Sequence, residues 1–102
     1  MSDFKKVKKT KDLTVSIVSY NSLNFLKECL GSISKNPPSL NYEIIVVDNA
    51  STDGTVDFLK NNYPEIKLIL NTTNIGFAAA NNQAIKNSDS KYIILMNSDC
   101  EV

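Results

Sequence analysis

Three short stretches place side chains capable of chemistry directly after aliphatic runs. Residues 15–19 lead into Tyr20-Asn21, residues 44–47 into Asp48-Asn49, and residues 93–96 into Asn97-Ser98-Asp99. Asp99, flanked by Asn97 and Ser98, offers the hard oxygen donors that Mg2+ or Mn2+ prefers. One carboxylate holds such an ion weakly, so phosphate oxygens of a substrate would complete its shell. Asp99 could equally cap a turn. Asp48 and Asn49 can exchange hydrogen bonds with a base edge or a ribose, or can organise the turn into Ser51. The residue types leave both alternatives open. Gly76 begins a helix whose first free N–H groups suit an anion. Asp53 fits a helix start better than a ligand role.

Holding these groups together requires a sheet. Unbroken aliphatic runs of this length suit strands buried on both faces, and the pattern predicts strands over residues 13–19, 42–47, 66–70 and 92–96. After Ser22, a capping residue, Leu23, Leu26, Cys29, Leu30 and Ile33 recur at helical spacing until Pro37-Pro38. A second helix is expected from about Asp53 to Asn62, burying Val56 and Leu59 and ended by Pro64. A third buries Phe77, Ala80, Ala84 and Ile85 on one face. Lys67 marks the third strand as an edge.

The order βαβαβαβ implies an α/β fold with right-handed crossovers and a doubly wound parallel sheet. The expected strand order is 3-2-1-4, with the first two helices on one face and the third on the other. Ligands bind such sheets beyond the strands' carboxyl ends, where the winding reverses. Here that point lies between strands one and four. It gathers Tyr20, Asn21, Asp48, Asn49, Asn97, Ser98 and Asp99 on one weakly acidic ledge.

The 102 residues make one small domain, expected over residues 13–102 after a tail of residues 1–12 that carries five of the eleven basic side chains. Zero net charge makes no case for nucleic acid as a partner. No apolar run approaches the ~20 residues of a membrane span. Cys29 and Cys100, far apart and without any histidine, fit a reduced, cytoplasmic protein. Cys29 reads as a core residue. The lysine-rich tail lacks the apolar segment of a secretory signal. It either solubilises the chain or touches the anionic inner face of a membrane.

Four segments carry a resemblance. VSIVSYN (residues 15–21), EIIVVDNASTDGT (43–55), NTTNIGFAAANNQAI (71–85) and YIILMNSDCEV (92–102) resemble, in order and spacing, the nucleotide-sugar-binding half of family 2 glycosyltransferases. That half is the N-terminal part of a Rossmann-like GT-A fold, and the likeness is to the rhamnosyltransferase-like branch. It covers nearly everything after the tail. Four segments in register are specific where one would be weak.

The resemblance implies transfer of a sugar, with inversion, from a nucleoside-diphosphate sugar to an acceptor hydroxyl on a glycan or lipid-linked acceptor. By that resemblance Tyr20 and Asn21 border the nucleotide base, and Asp48 and Asn49 hold base or ribose. Asn74, Gly76, Phe77 and Asn81 line the same pocket. Ser98 lies near the ribose, and Asp99, last residue of a DxD-like motif, binds Mg2+ or Mn2+. Three departures stand out: Asn97 replaces the motif's first aspartate, Ala50 replaces a frequent glycine with no expected harm, and there is no arginine. The family's general base and acceptor site lie past the motif. The chain is therefore expected to be a truncated transferase domain, inactive in isolation, and to self-associate through an uncovered fourth strand, residues 92–96.

Rival folds fit less well. A receiver-type signalling domain needs an acidic pair after strand one, where this chain has Ser19-Tyr20-Asn21. A nucleotidyltransferase needs a glycine-rich phosphate loop there. A non-catalytic nucleotide-binding or assembly module is the remaining alternative.

Overall fold

The computed structural model describes residues 11–97, with Asn97 described by its backbone alone. In chain order the elements are β1 (Lys11–Ser19), α1 (Leu23–Lys35), β2 (Tyr42–Asn49), α2 (Thr55–Asn62), β3 (Lys67–Asn71), α3 (Phe77–Asn87) and β4 (Ser90–Asn97). The strands form one sheet in the predicted order β3-β2-β1-β4, and every pairing is parallel.

The two-residue period of a strand sorts its side chains onto two faces. Leu13, Val15, Ile17 and Val46 pack against Leu26, Leu30 and Leu59, which puts α1 and α2 on one face. Val18, Ile45 and Val47 pack against Ala80 and Ala84, which puts α3 on the other. No described helix is long and apolar enough to cross a membrane.

Three expectations are corrected. First, β1 starts at Lys11, inside the segment read as tail, because the backbone N–H of Asp12 donates to Asn41 O at 2.8 Å. Second, α2 starts at Thr55 rather than Asp53, because Gly54 sits at φ 88°, outside helical geometry. Third, Phe77 and Ile85 stand exposed instead of facing the sheet. The buried stripe of α3 is Ala80, Asn81 and Ala84. Side chains this small seat the helix close to the strands, and the bulky residues flanking so narrow a stripe stay outside.

A polar cluster fastens the strands' amino ends. Buried Thr14 donates from Oγ1 to Glu43 Oε2 at 3.0 Å. It also lies within hydrogen-bond distance of the Ser88 and Ser90 hydroxyls. Lys67 Nζ donates to Asn87 O at 2.9 Å and sits 3.9 Å from Glu43 Oε1. β1, β2, β3 and both ends of the α3–β4 connection are joined there.

Candidate functional site

β1 and β2 run side by side to the same level, with Ser19 opposite Asp48. The loops that follow therefore emerge together and are stitched to each other by short polar side chains. Asp48 is only 1% exposed. Its Oδ1 accepts from Ser19 Oγ at 2.8 Å and Ser51 Oγ at 2.6 Å, and its Oδ2 accepts from Ser51 N at 2.9 Å. The turn-organising role is the one observed, and little of the carboxylate opens to the crevice.

Asn21 completes the stitch from the other loop. Its N–H donates to Ser51 Oγ at 2.8 Å, while its Oδ1 accepts from Thr52 N at 2.7 Å. Asn21 and Ala50 both hold left-handed backbone, at φ 50° and 66°. Ala50 is therefore not a harmless replacement: an L side chain at that φ is strained, and the expected neutrality is corrected.

Asp53 serves two helices with one carboxylate. Oδ2 accepts from Leu23 N at 3.1 Å, and Oδ1 accepts from Thr55 N at 3.2 Å and from Thr55 Oγ1 at 2.5 Å. The expected cap of α1, Ser22, makes no cap bond and instead donates to Tyr20 O at 2.9 Å. Asp53 takes over that function from across the crevice. Partial burial acts to raise its pKa, but the bonds from Thr55 and Leu23 outweigh it, and the carboxyl sits below its usual range.

Asp48 and Asn49 are neighbours in sequence but point to opposite faces. Asn49, on the α3 side, accepts at Oδ1 from Asn71 Nδ2 at 2.9 Å and donates to Gly76 O at 3.4 Å. Asn71 and Gln83 exchange two reciprocal amide bonds of 2.9 Å. Asn74 Oδ1 accepts from Gly76 N at 2.9 Å, and Gly76, at φ 90°, leads into α3. No side chain caps α3 and no acid occupies its first turn, so its N-terminus is an open positive end. Asn81 is 5% exposed, and its Oδ1 has no hydrogen-bond partner among the described residues.

The predicted residues thus fall into two groups at one end of the sheet. Exposed Tyr20 and Asn21 sit over buried Asp48, and the Asn74–Gly76–Phe77 turn sits over buried Asn49. Asn97 ends β4 one residue past the Ile17↔Met96 pair, beside Val18, so β4 leaves the sheet at the same edge. Ser98 and Asp99 lie outside the described residues. Sequence reasoning missed Ser51, Asn71 and Gln83 as organisers. The signal for Asn71 and Gln83 was weak, since their partners lie 12 to 22 residues away along the chain, whereas Ser51 bonds Asp48 within one turn.

The family model for glycosyl transferase family 2 matches residues 14–102. The poly(ribitol-phosphate) beta-glucosyltransferase of Bacillus spizizenii is 38% identical over 92 residues, covering 85% of this chain and 14% of that protein. Glycosyltransferase SunS of Bacillus phage SPbeta is 33% identical over 90 residues, covering 88% and 20%. Among solved structures, S. aureus TarS 1–349 in complex with UDP superposes with a TM-score of 0.75 at 28% identity, covering 86% of this chain and 27% of that one. Mannosyltransferase PcManGT from Pyrobaculum calidifontis, in complex with GDP-Man and Mn2+, gives 0.70 at 30% identity, covering 90% and 29%. The chain spans less than a third of each of these proteins. It matches a part of each in sequence and in topology, and it belongs to glycosyl transferase family 2.

Proposed function

We propose that this chain forms the donor side of a cytoplasmic glycosyltransferase, binding a nucleoside-diphosphate sugar whose sugar passes to an acceptor hydroxyl. The observation that supports this best is the meeting of segments 15–21, 43–55 and 71–85 at the strands' carboxyl ends, the end at which such sheets bind ligands. Tyr20 and Asn21 would border the base, and Asn49 and Asn81 would meet base or ribose. A buried amide oxygen without a partner is costly, and a ligand N–H or O–H would satisfy Asn81. The open end of α3 favours negative charge nearby. TarS with UDP and PcManGT with GDP-Man are relatives that hold such ligands.

The carboxylates of Asp48 and Asp53 are already committed to internal bonds. Among the described residues no three His, Cys, Asp or Glu side chains converge as a metal cage. A divalent cation would rest on Asp99, as the resemblance to the family implies, and on substrate phosphate oxygens, which is the way Mg2+ is commonly held. Once bound, it would neutralise charge on the departing diphosphate.

Calorimetric titration with uridine, thymidine and guanosine diphosphates, with and without Mn2+, tests this. One of them should bind in a metal-dependent way, and Asp99→Ala should weaken that binding about tenfold or more. Silence with all three, metal present or absent, would instead mark a non-catalytic assembly module.

A further inference from the structure

In a parallel sheet with short connections, every helix runs back against the strands, so helix carboxyl ends gather with strand amino ends. This topology sorts the charges of the molecule. Lys11, Lys67 and Lys91 lie at the starts of β1, β3 and β4. Lys35, Lys60 and Lys86 lie in the last turns of α1, α2 and α3. Only Lys27, early in α1, falls elsewhere among the described lysines. The same end carries Asp12, Glu43, Glu65 and Asp89, with Lys67 near Glu43 and Lys91 near Asp12, each at 3.9 Å. Among the described residues, the six lysines at this end outnumber the four carboxylates by two. The opposite end holds Asp48, Asp53 and Asp57, with Lys27 over the neighbouring Phe58 ring.

We infer that the strand-amino end is a docking face for an anionic lipid surface. Lysines from six different elements gather at this end of the molecule. Between them opens a cleft of about 440 Å3 lined by Lys11, Tyr42, Glu43 and Lys67, among others. Exposed Leu40 and Tyr92 stand at the same end, the kind of side chains that enter a headgroup layer beside lysines. Arginine, which leads in phosphate forks and base recognition by nucleic-acid binders, is absent. The ledge then faces away from the lipid, about 25 Å above it for strands of this length. Each last-turn lysine also complements its own helix dipole, so the test separates binding from stability. Lipid docking stands or falls apart from the donor site, because vesicle binding needs no nucleotide.

The test is co-sedimentation of the full chain with phosphatidylcholine vesicles, with and without about 30% phosphatidylglycerol. Binding should require the anionic lipid and should fall about tenfold or more between roughly 0.05 and 0.5 M salt. The triple variant Lys35→Gln, Lys60→Gln, Lys86→Gln should bind about tenfold more weakly, with circular dichroism unchanged. The matching Lys→Arg triple, which keeps the charge, should bind as the parent does and covers the event that the glutamine triple fails to fold. A glutamine triple that folds and binds like the parent would overturn the inference. So would equal binding to neutral vesicles, or a preference for an oligonucleotide over vesicles at the same salt.

Discussion

Ala50 shows how one residue can carry a cost for the turn it sits in. Its φ of 66° crowds Cβ against the backbone, a penalty of about 1–2 kcal/mol for an L residue. Glycine removes that strain but gives the unfolded chain about 0.4–1 kcal/mol of extra entropy. The strain outweighs the entropy, so Ala50→Gly should stabilise by roughly 0.5–1 kcal/mol, raising the thermal midpoint by a few degrees. Asp53 gives a pH-dependent counterpart. Its carboxyl binds a proton more weakly folded than unfolded, so the stability it contributes is present above the unfolded value. That stability is lost as pH falls through the lower folded value. Asp53→Ala should lower the melting temperature near neutrality, and the gap from the parent should close as acid protonates the parent's carboxylate. A gap that stays constant down to strongly acidic pH would mean the two helix-start bonds contribute nothing through charge.

At the scale of elements, the Thr14 cluster is where four segments meet. Thr14 is fully buried, and removing its hydroxyl leaves the half-buried Glu43, Ser88 and Ser90 short of a partner. A buried polar group stripped of its bond costs about 1–3 kcal/mol, so Thr14→Val should lower the urea midpoint accordingly, and Thr14→Ser should recover most of it. The strands around this cluster were legible in the sequence, because runs such as Ile44-Ile45-Val46-Val47 have few alternatives to a strand buried on both faces. The meeting of the β1 and β2 ends was legible too, since a parallel sheet must present its strand ends together, while Ser98 and Asp99 of the expected ledge lie outside the described residues. What could not be read was the partner of each polar atom. Asn21 meets Ser51 and Asp53 meets Leu23 across thirty residues, and only the register of β1 on β2 decides those pairs. The seating of α3 was misread for a related reason. Periodicity marks a face but not its width, and a stripe of two alanines and Asn81 leaves no room for Phe77 or Ile85.

For the whole molecule, β4 decides what the sheet does next. It pairs with β1 along one edge, and among the described residues no strand follows on its other edge. Tyr92 is 66% exposed and Ile94 48% on the α1 side, and Leu95 is exposed on the α3 side. A row of open backbone groups flanked by aliphatic chains is a template for another strand. The partner available in a pure sample is a second copy, whose β4 would extend the sheet across the join. Sedimentation should then show apparent mass rising with concentration, and Ile94→Lys, which places a charge on that edge, should return the chain to monomer. The salt response separates this association from docking on lipid. Pairing of apolar strands should persist or strengthen as salt rises, whereas attraction of lysines to anionic lipid is screened away. A chain that stays monomeric at the highest attainable concentration, in high and low salt alike, would show that this edge does not pair with itself.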